Sequence, residues 1–168
     1  TSASVCDSYV WSVNGQTYTA SGTYSNVNGC QTKVLKLTIT PSSTDTTSAS
    51  VCDSYVWSVN GQTYTASGTY SNVNGCQTKV LKLIIYKSSS KATSINASTL
   101  QTNGATQVSL SVVGGTLGTS AAWKWYSISC GGTPIGTGET ISVTPAANTS
   151  YFVRAEGFCN STECTSVT

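Results

Sequence analysis

Seven cysteines are the residues of this 168-residue chain whose type and number promise chemistry. Histidine is absent, which removes Ser-His-Asp and Cys-His nucleophilic arrangements and every imidazole metal ligand. No Cys-x-x-Cys pair occurs, so the spacing of a zinc site fails as well. The six acidic residues are dispersed. None reads as one of the paired carboxylates that a glycosidase holds about 5–10 Å apart, and no acidic loop offers calcium its clustered oxygens. Gly131-Gly132 and the other glycines lack the strand–loop–helix setting of a phosphate cradle. No catalytic, cofactor-binding or metal-ligating residue is expected, and no enzyme. What remains is disulfide chemistry, which places a chain rich in Thr, Ser, Gly and Asn in an oxidising, extracytoplasmic compartment.

Four of the cysteines lie in a perfect repeat. Thr1–Leu37 returns letter for letter as Thr47–Leu83, at an offset of 46 residues. Tandem identity of this length signals a modular array. In each copy Tyr9-Val10-Trp11-Ser12-Val13, Asn14-Gly15 and Gln16-Thr17-Tyr18-Thr19-Ala20, or their counterparts, read as a β-hairpin. A two-residue type I′ turn then sets Trp11 opposite Tyr18 and Tyr9 opposite Ala20, with Tyr9, Trp11 and Val13 on one face. Asn28-Gly29 marks a second hairpin between Gly22–Val27 and Cys30–Thr40. Its last strand alternates, with Leu35, Leu37 and Ile39 inward and Lys36, Thr38 and Thr40 outward.

A unit of this size buries little surface and needs a staple. Cys6 with Cys30, and Cys52 with Cys76, are the pairings available within each copy, at about 3–4 kcal/mol per closed loop. An exchange such as Cys30 with Cys52 gives up the self-contained repeat. Polar stretches, Pro41–Thr46 and Lys87–Lys91, read as extended spacers. From about Ser94 the pattern becomes that of an immunoglobulin-like β-sandwich. Alternating strands at 107–112 and 123–126 are followed by candidates at 140–144, 150–156 and 165–168, with turns at Asn103-Gly104, Gly114-Gly115 and Gly131-Gly132. Trp125 and Tyr151 read as core residues. Of Cys130, Cys159 and Cys164, the spacing favours Cys159 with Cys164 across a hairpin loop, leaving Cys130 free, although sequence does not fix connectivity. The expected fold class is all-β: two small disulfide-stapled β repeat modules (1–46 and 47–93, each with its linker) and a sandwich at 94–168, truncated in its last strand, arranged as an elongated array.

The copies stop matching at Thr38, which becomes Ile84, and Thr40, which becomes Tyr86. Both positions fall on the outward face of the last strand, so an outward face that turns apolar predicts a seam against the following sandwich. Charged residues are 8% and the net charge is +2, which leaves no electrostatic footprint for nucleic acid. No apolar run approaches the roughly 18 residues of a membrane span, so no membrane insertion is expected. The absence of methionine reads as an excised mature fragment. Asn96-Ala97-Ser98, Asn148-Thr149-Ser150 and Asn160-Ser161-Thr162 are formal N-glycosylation triplets. Asp7-Ser8-Tyr9 and Asp53-Ser54-Tyr55 read as turns before strands rather than as surface contacts.

The run C-D-S-Y-V-W, N-G-Q-T-Y-T-A-S-G-T-Y and N-V-N-G-C-Q-T-K-V-L-K-L resembles the tandem repeats of very large SprB-type surface adhesins of gliding Bacteroidota. The tail, W-K-W-Y-S-I-S-C-G-G-T-P-I-G-T-G with S-Y-F-V-R-A-E-G-F-C, is similar to immunoglobulin-like repeats of the same secreted proteins. The resemblance covers nearly the whole chain. It implies export by the type IX system, an extracellular, cell-surface location, and a spacer or adhesive role in attachment and gliding. Implied partners are further copies of its own repeats, a substratum or surface polysaccharide, and gliding and secretion machinery; no cofactor is implied. The alternative is an accessory carbohydrate-binding or spacer region of a secreted hydrolase. The resemblance also implies O-glycosylation of hydroxyl residues that follow Asp, at Thr46 and, less strongly, Ser8 and Ser54. Protein from the native host is expected to weigh more than the bare peptide by intact mass; equal masses contradict the modification.

Overall fold

The computed structural model describes residues 1–99 and 106–168, and all the regular elements among them are strands. The expected turn at Asn103-Gly104 lies outside the described residues. The chain divides into two compact units, Thr1–Ala49 with Val56–Ile84, and Ser50–Tyr55 with Ile85–Thr168.

In the first unit, the first copy forms β1 (Ser2–Cys6), β2 (Tyr9–Trp11), β3 (Gln16–Tyr18), β4 (Gly22–Asn28) and β5 (Gln31–Thr40). Strand β5 is central in a sheet of order β1-β5-β4. It runs antiparallel to β4 and parallel to β1, with Cys6 opposite Thr40. The parallel pairing is possible because the β2–β3 hairpin and β4 supply the long crossover it needs. Alternation along β5 sends Leu35 and Leu37 into the core, where they meet Trp11 from β2. Ala3, Val5, Tyr9, Tyr18, Tyr24 and Ile39 pack around these three. Tyr18 links the layers, its ring centroid 4.0 Å from Tyr24 and 6.3 Å from Trp11. The second copy, whose residues 50–55 and 85–86 belong to the second unit, repeats the set as β6 (Ser43–Cys52), β7 (Tyr55–Trp57), β8 (Gln62–Tyr64), β9 (Gly68–Asn74) and β10 (Gln77–Tyr86). Its order is β6-β10-β9, and Trp57, Leu81 and Leu83 are buried.

Both hairpins differ from expectation by two in register. Tyr9 pairs with Tyr18 and Trp11 with Gln16, so the first loop is Ser12–Gly15 rather than Asn14-Gly15 alone. Type I′ requires positive φ at both central residues, and here Gly15 (φ 69°) has it while Asn14 does not. Asn14 instead spends its side chain on the loop: Oδ1 accepts the Gln16 N–H at 3.1 Å and Nδ2 donates to the Tyr18 hydroxyl at 2.8 Å. Val13 thereby leaves the core face for the turn. The slip of two in register keeps Tyr9, Trp11 and Tyr18 on the core face, while Ala20 lies beyond β3 and is exposed. In the second hairpin Asn28 pairs with Gln31, leaving Gly29-Cys30 as the loop with Gly29 at φ 60°. Cys30 is therefore a turn residue, not a strand residue.

The expected spacer Pro41–Thr46 is mostly strand, because Ser43–Thr46 open β6 and only Pro41-Ser42 separate it from β5. Lys79 fixes that segment by an ion pair to Asp45 at 2.6 Å.

In the second unit, β11 (Ser94–Ala97), β12 (Val108–Val113), β13 (Ala122–Ser127), β14 (Gly136–Thr137), β15 (Thr140–Val143), β16 (Tyr151–Glu156) and β17 (Thr165–Val167) form two sheets. Their orders are β11-β12-β15 and β14-β13-β16-β17. Val108 and Leu110 of one sheet meet Trp123, Trp125, Val153 and Ala155 of the other in a single core. This is an immunoglobulin-like sandwich, with Trp125 on its third strand and Tyr151 opening a late one, as expected. The Trp125 indole N–H is satisfied by the Gly138 carbonyl at 2.8 Å. Lys87–Lys91 is no free spacer either. Asn160 grips the Ser89 backbone at both ends, accepting its N–H (2.8 Å) and donating to its carbonyl (2.9 Å). Gly118 lies so near that an added Cβ would meet the Lys87 carbonyl oxygen. The chain can pass here because this residue has no side chain.

Truncating Trp11 to alanine is expected to destabilise the first unit by about 3–5 kcal/mol, measured by denaturant unfolding. A change of under about 1 kcal/mol, the size of a surface substitution, contradicts its place in the core.

Candidate functional site

None of the three disulfides joins the cysteines of one copy to each other. Cys6 bonds Cys76, Cys52 bonds Cys159, Cys130 bonds Cys164, and Cys30 is an exposed free thiol. The expected bridges Cys6–Cys30, Cys52–Cys76 and Cys159–Cys164 are therefore all corrected. Cys6 ends β1 beside Thr40, where β5 leaves its own copy, while Cys30 sits in a turn before the start of β5. The two are at opposite ends of the same sheet. The hairpin tip of the second copy, carrying Cys76, is what comes to the end of β1, and the Cys76 carbonyl accepts the Ser43 N–H at 2.9 Å. Cys159 occupies the tip of the turn that the Gly157 N–H closes onto the Asn160 carbonyl at 3.0 Å. That position lets it meet Cys52 and leaves Cys164 to Cys130. On the chain-entropy account, closing a separation of 70 residues contributes about 4 kcal/mol.

Each of the first two bridges has an aspartate clamp beside it. Asp7 adopts φ 58° and Asp53 φ 61°, a left-handed conformation that Asp tolerates better than most residues. In the first clamp the Asp7 N–H donates to the Thr40 carbonyl at 3.2 Å and the carboxylate accepts the Ser42 N–H at 2.7 Å. The two bonds straddle Pro41. The second clamp repeats this: the Asp53 N–H donates to the Tyr86 carbonyl at 2.8 Å, and the carboxylate accepts both the N–H (2.9 Å) and the hydroxyl (2.5 Å) of Ser88. Hydrogen bonds from Ser42 hold the Asp7 carboxyl below the ordinary carboxylate range, and those from Ser88 do the same for Asp53. So the turns before β2 and β7 are structural anchors. Ser8 and Ser54 follow them, exposed, their amides tied to the Cys6 and Cys52 carbonyls at 2.6 and 2.7 Å. Thr46 is exposed on β6.

Of the two positions where the copies diverge, Tyr86 packs against Phe158 with the rings tilted by 54° and their centroids 4.8 Å apart, next to Cys159. Ile84 is 48% exposed.

The outer face of β13 and β16 carries the densest charge cluster among the described residues, centred on Glu156. Lys124 meets its carboxylate at 2.8 Å and Arg154 at 2.6 Å, the Tyr126 hydroxyl donates to it, and the Arg154 guanidinium lies over the Tyr126 ring. The Lys124 hydrogen bond, followed by that from Tyr126, brings the Glu156 carboxyl down to about 2 against the opposing effect of burial. Burial, with the carboxylate beside it, raises the Tyr126 phenol. The signal in the sequence was the alternation of Lys124 with Tyr126 and of Arg154 with Glu156 on facing strands.

This architecture defines a disulfide-rich β protein, helix-free among the described residues, whose C-terminal part is immunoglobulin-like. Residues 90–168 match the family model described as Ig-like domain, CHU_C associated. No curated protein compared with the chain matches it. The family match points to a non-enzymatic module, and the disulfides with it to an extracellular or secreted protein.

Two outcomes follow from the bonding. Replacing Cys6 and Cys76 together by serine is expected to lower the unfolding midpoint, while Cys30→Ser leaves it in place; a lowered midpoint for Cys30→Ser contradicts the pairing. Because the Glu156 carboxyl is depressed in the folded state, its stabilisation is present above the ordinary carboxylate range and is lost as pH falls from about 4.5 to about 2. Glu156→Gln is therefore expected to flatten the acid limb of a stability–pH curve. An unchanged limb removes the cluster from the account.

Proposed function

We propose that the chain is a non-catalytic segment of a secreted, repeat-built adhesin filament at the cell surface, serving as spacer and adhesive array in attachment and gliding. One observation carries this reading: identical copies are bonded copy to copy rather than within themselves. The bridges are also interlocked. In a fully unfolded, oxidised chain the covalent path from end to end runs through residues 1–6, back from 76 to 52, and on through 159–168, which is 41 residues of 168. A chain so threaded resists extension even after its cores are lost, which suits a load-bearing tether. Identical copies also present identical surfaces, such as exposed Val10 and Val27 recurring as Val56 and Val73. Many weak contacts on one filament sum to strong attachment. The immunoglobulin-like match and the SprB-type resemblance of the repeats support the same reading.

Antibody raised against residues 1–168 is expected to label intact cells of the source organism at their outer surface, with label that moves as cells glide. Removing the segment is expected to lower attachment to glass. Recovery of the protein solely from the medium, together with a hydrolase activity in the same polypeptide, overturns the reading in favour of an accessory region.

A further inference from the structure

The two identical copies differ at one edge. In the second, Cys76 is bonded to Cys6, its carbonyl accepts the Ser43 N–H, and Lys79 meets Asp45. All three partners come from the copy and linking strand ahead of Thr47. Thr78, Lys79 and Val80 are half-buried there. Their counterparts Thr32, Lys33 and Val34 are exposed, Val34 by 41%, and the counterpart of Cys76 is the free thiol Cys30. The residues are the same, so the difference lies in what covers them.

We infer that Cys30 and the side of β5 ahead of its pairing with β1, from Gln31 to Val34, form a docking surface for a further repeat of the same kind placed ahead of Thr1 in the chain. Its first-strand cysteine bonds Cys30, its linking strand lies along the edge, and its aspartate meets Lys33. The second clamp shows that the donor half of the staple is general, since Cys52, the counterpart of Cys6, also bonds forward along the chain, to Cys159. Formation of the bridge is ordinary thiol–disulfide exchange. The Cys30 thiolate attacks a disulfide oxidant such as glutathione disulfide and expels one glutathione thiolate. The incoming cysteine thiolate then displaces the second, so two protein thiols and one oxidant disulfide give one bridge and two glutathione thiols. The inference goes beyond the filament reading and stands whether or not the array adheres.

The test uses the full chain with one added copy of residues 1–46 joined ahead of Thr1, a Val10→Ile change in the added copy tagging its peptides by mass. After oxidation in a glutathione redox buffer, free thiols are alkylated and the bridges mapped by mass spectrometry. The expected result is Cys30 bonded to the first cysteine of the added copy, with the single free thiol moved to that copy's hairpin tip. Slower amide exchange at residues 32–34 accompanies it. With Cys30→Ser in the extended chain, both added cysteines are expected to be alkylated. Three outcomes overturn the inference: Cys30 alkylated as fully as in the 168-residue chain, a Cys30–Cys30 dimer between chains, or the two added cysteines bonded to each other.

Discussion

The bond between Cys6 and Cys76 ties the end of one copy's first strand to the hairpin tip of the next, and the surrounding structure is arranged to make that meeting possible. Asp7, at positive φ, holds the backbone on either side of Pro41, so the chain leaving β5 turns at once into β6. The Ser43 N–H then reaches the Cys76 carbonyl, and Asp45 reaches Lys79. A core of one tryptophan and two leucines per copy, joined in the second by Ile85, is small for an independent domain. Sharing the covalent closure between copies couples their stabilities, as neighbour interfaces do in other repeat proteins. The same device recurs with Asp53, Ser88 and the Cys52–Cys159 bond.

Much of the local structure was legible because it follows from period and composition. Alternation along 33–40 put Leu35 and Leu37 inside, and the turn-punctuated pattern after Ser94 gave a sandwich with Trp125 at its centre. The alternation places Tyr9, Trp11 and Tyr18 on the core face, but not Val13 or Ala20, and it does not give the tip, since Asn14 uses its side chain as a turn acceptor instead of entering a positive-φ pair. That choice depends on Tyr18 being within reach of the same amide, which no dipeptide rule contains.

The cysteine pairing was illegible for a different reason. A letter-for-letter repeat invites the assumption that each unit is covalently self-contained, and loop entropy alone favours the nearer Cys30 over Cys76 as the partner of Cys6. Distance decides it: β1 lies parallel to the far half of β5, so Cys6 and Cys30 end at opposite ends of one sheet. Parallel pairing between the first and last strands of so short a unit has no local sequence signal. The polar stretches 41–46 and 87–91 read as spacers for a similar reason, because serine and threonine carry no mark of pairing, yet Ser43–Thr46 open β6 and Asn160 grips the Ser89 backbone.

Threaded bridges have a mechanical signature that no arrangement of self-contained copies shares. Pulled from its two ends by a single-molecule force probe, the unfolded oxidised chain has a covalent path of 41 residues, or about 140 Å at full extension. With reductant present the same chain is expected to reach about 580 Å. An oxidised chain that releases most of the longer length contradicts the interlocked pairing and, with it, the load-bearing account of the repeats.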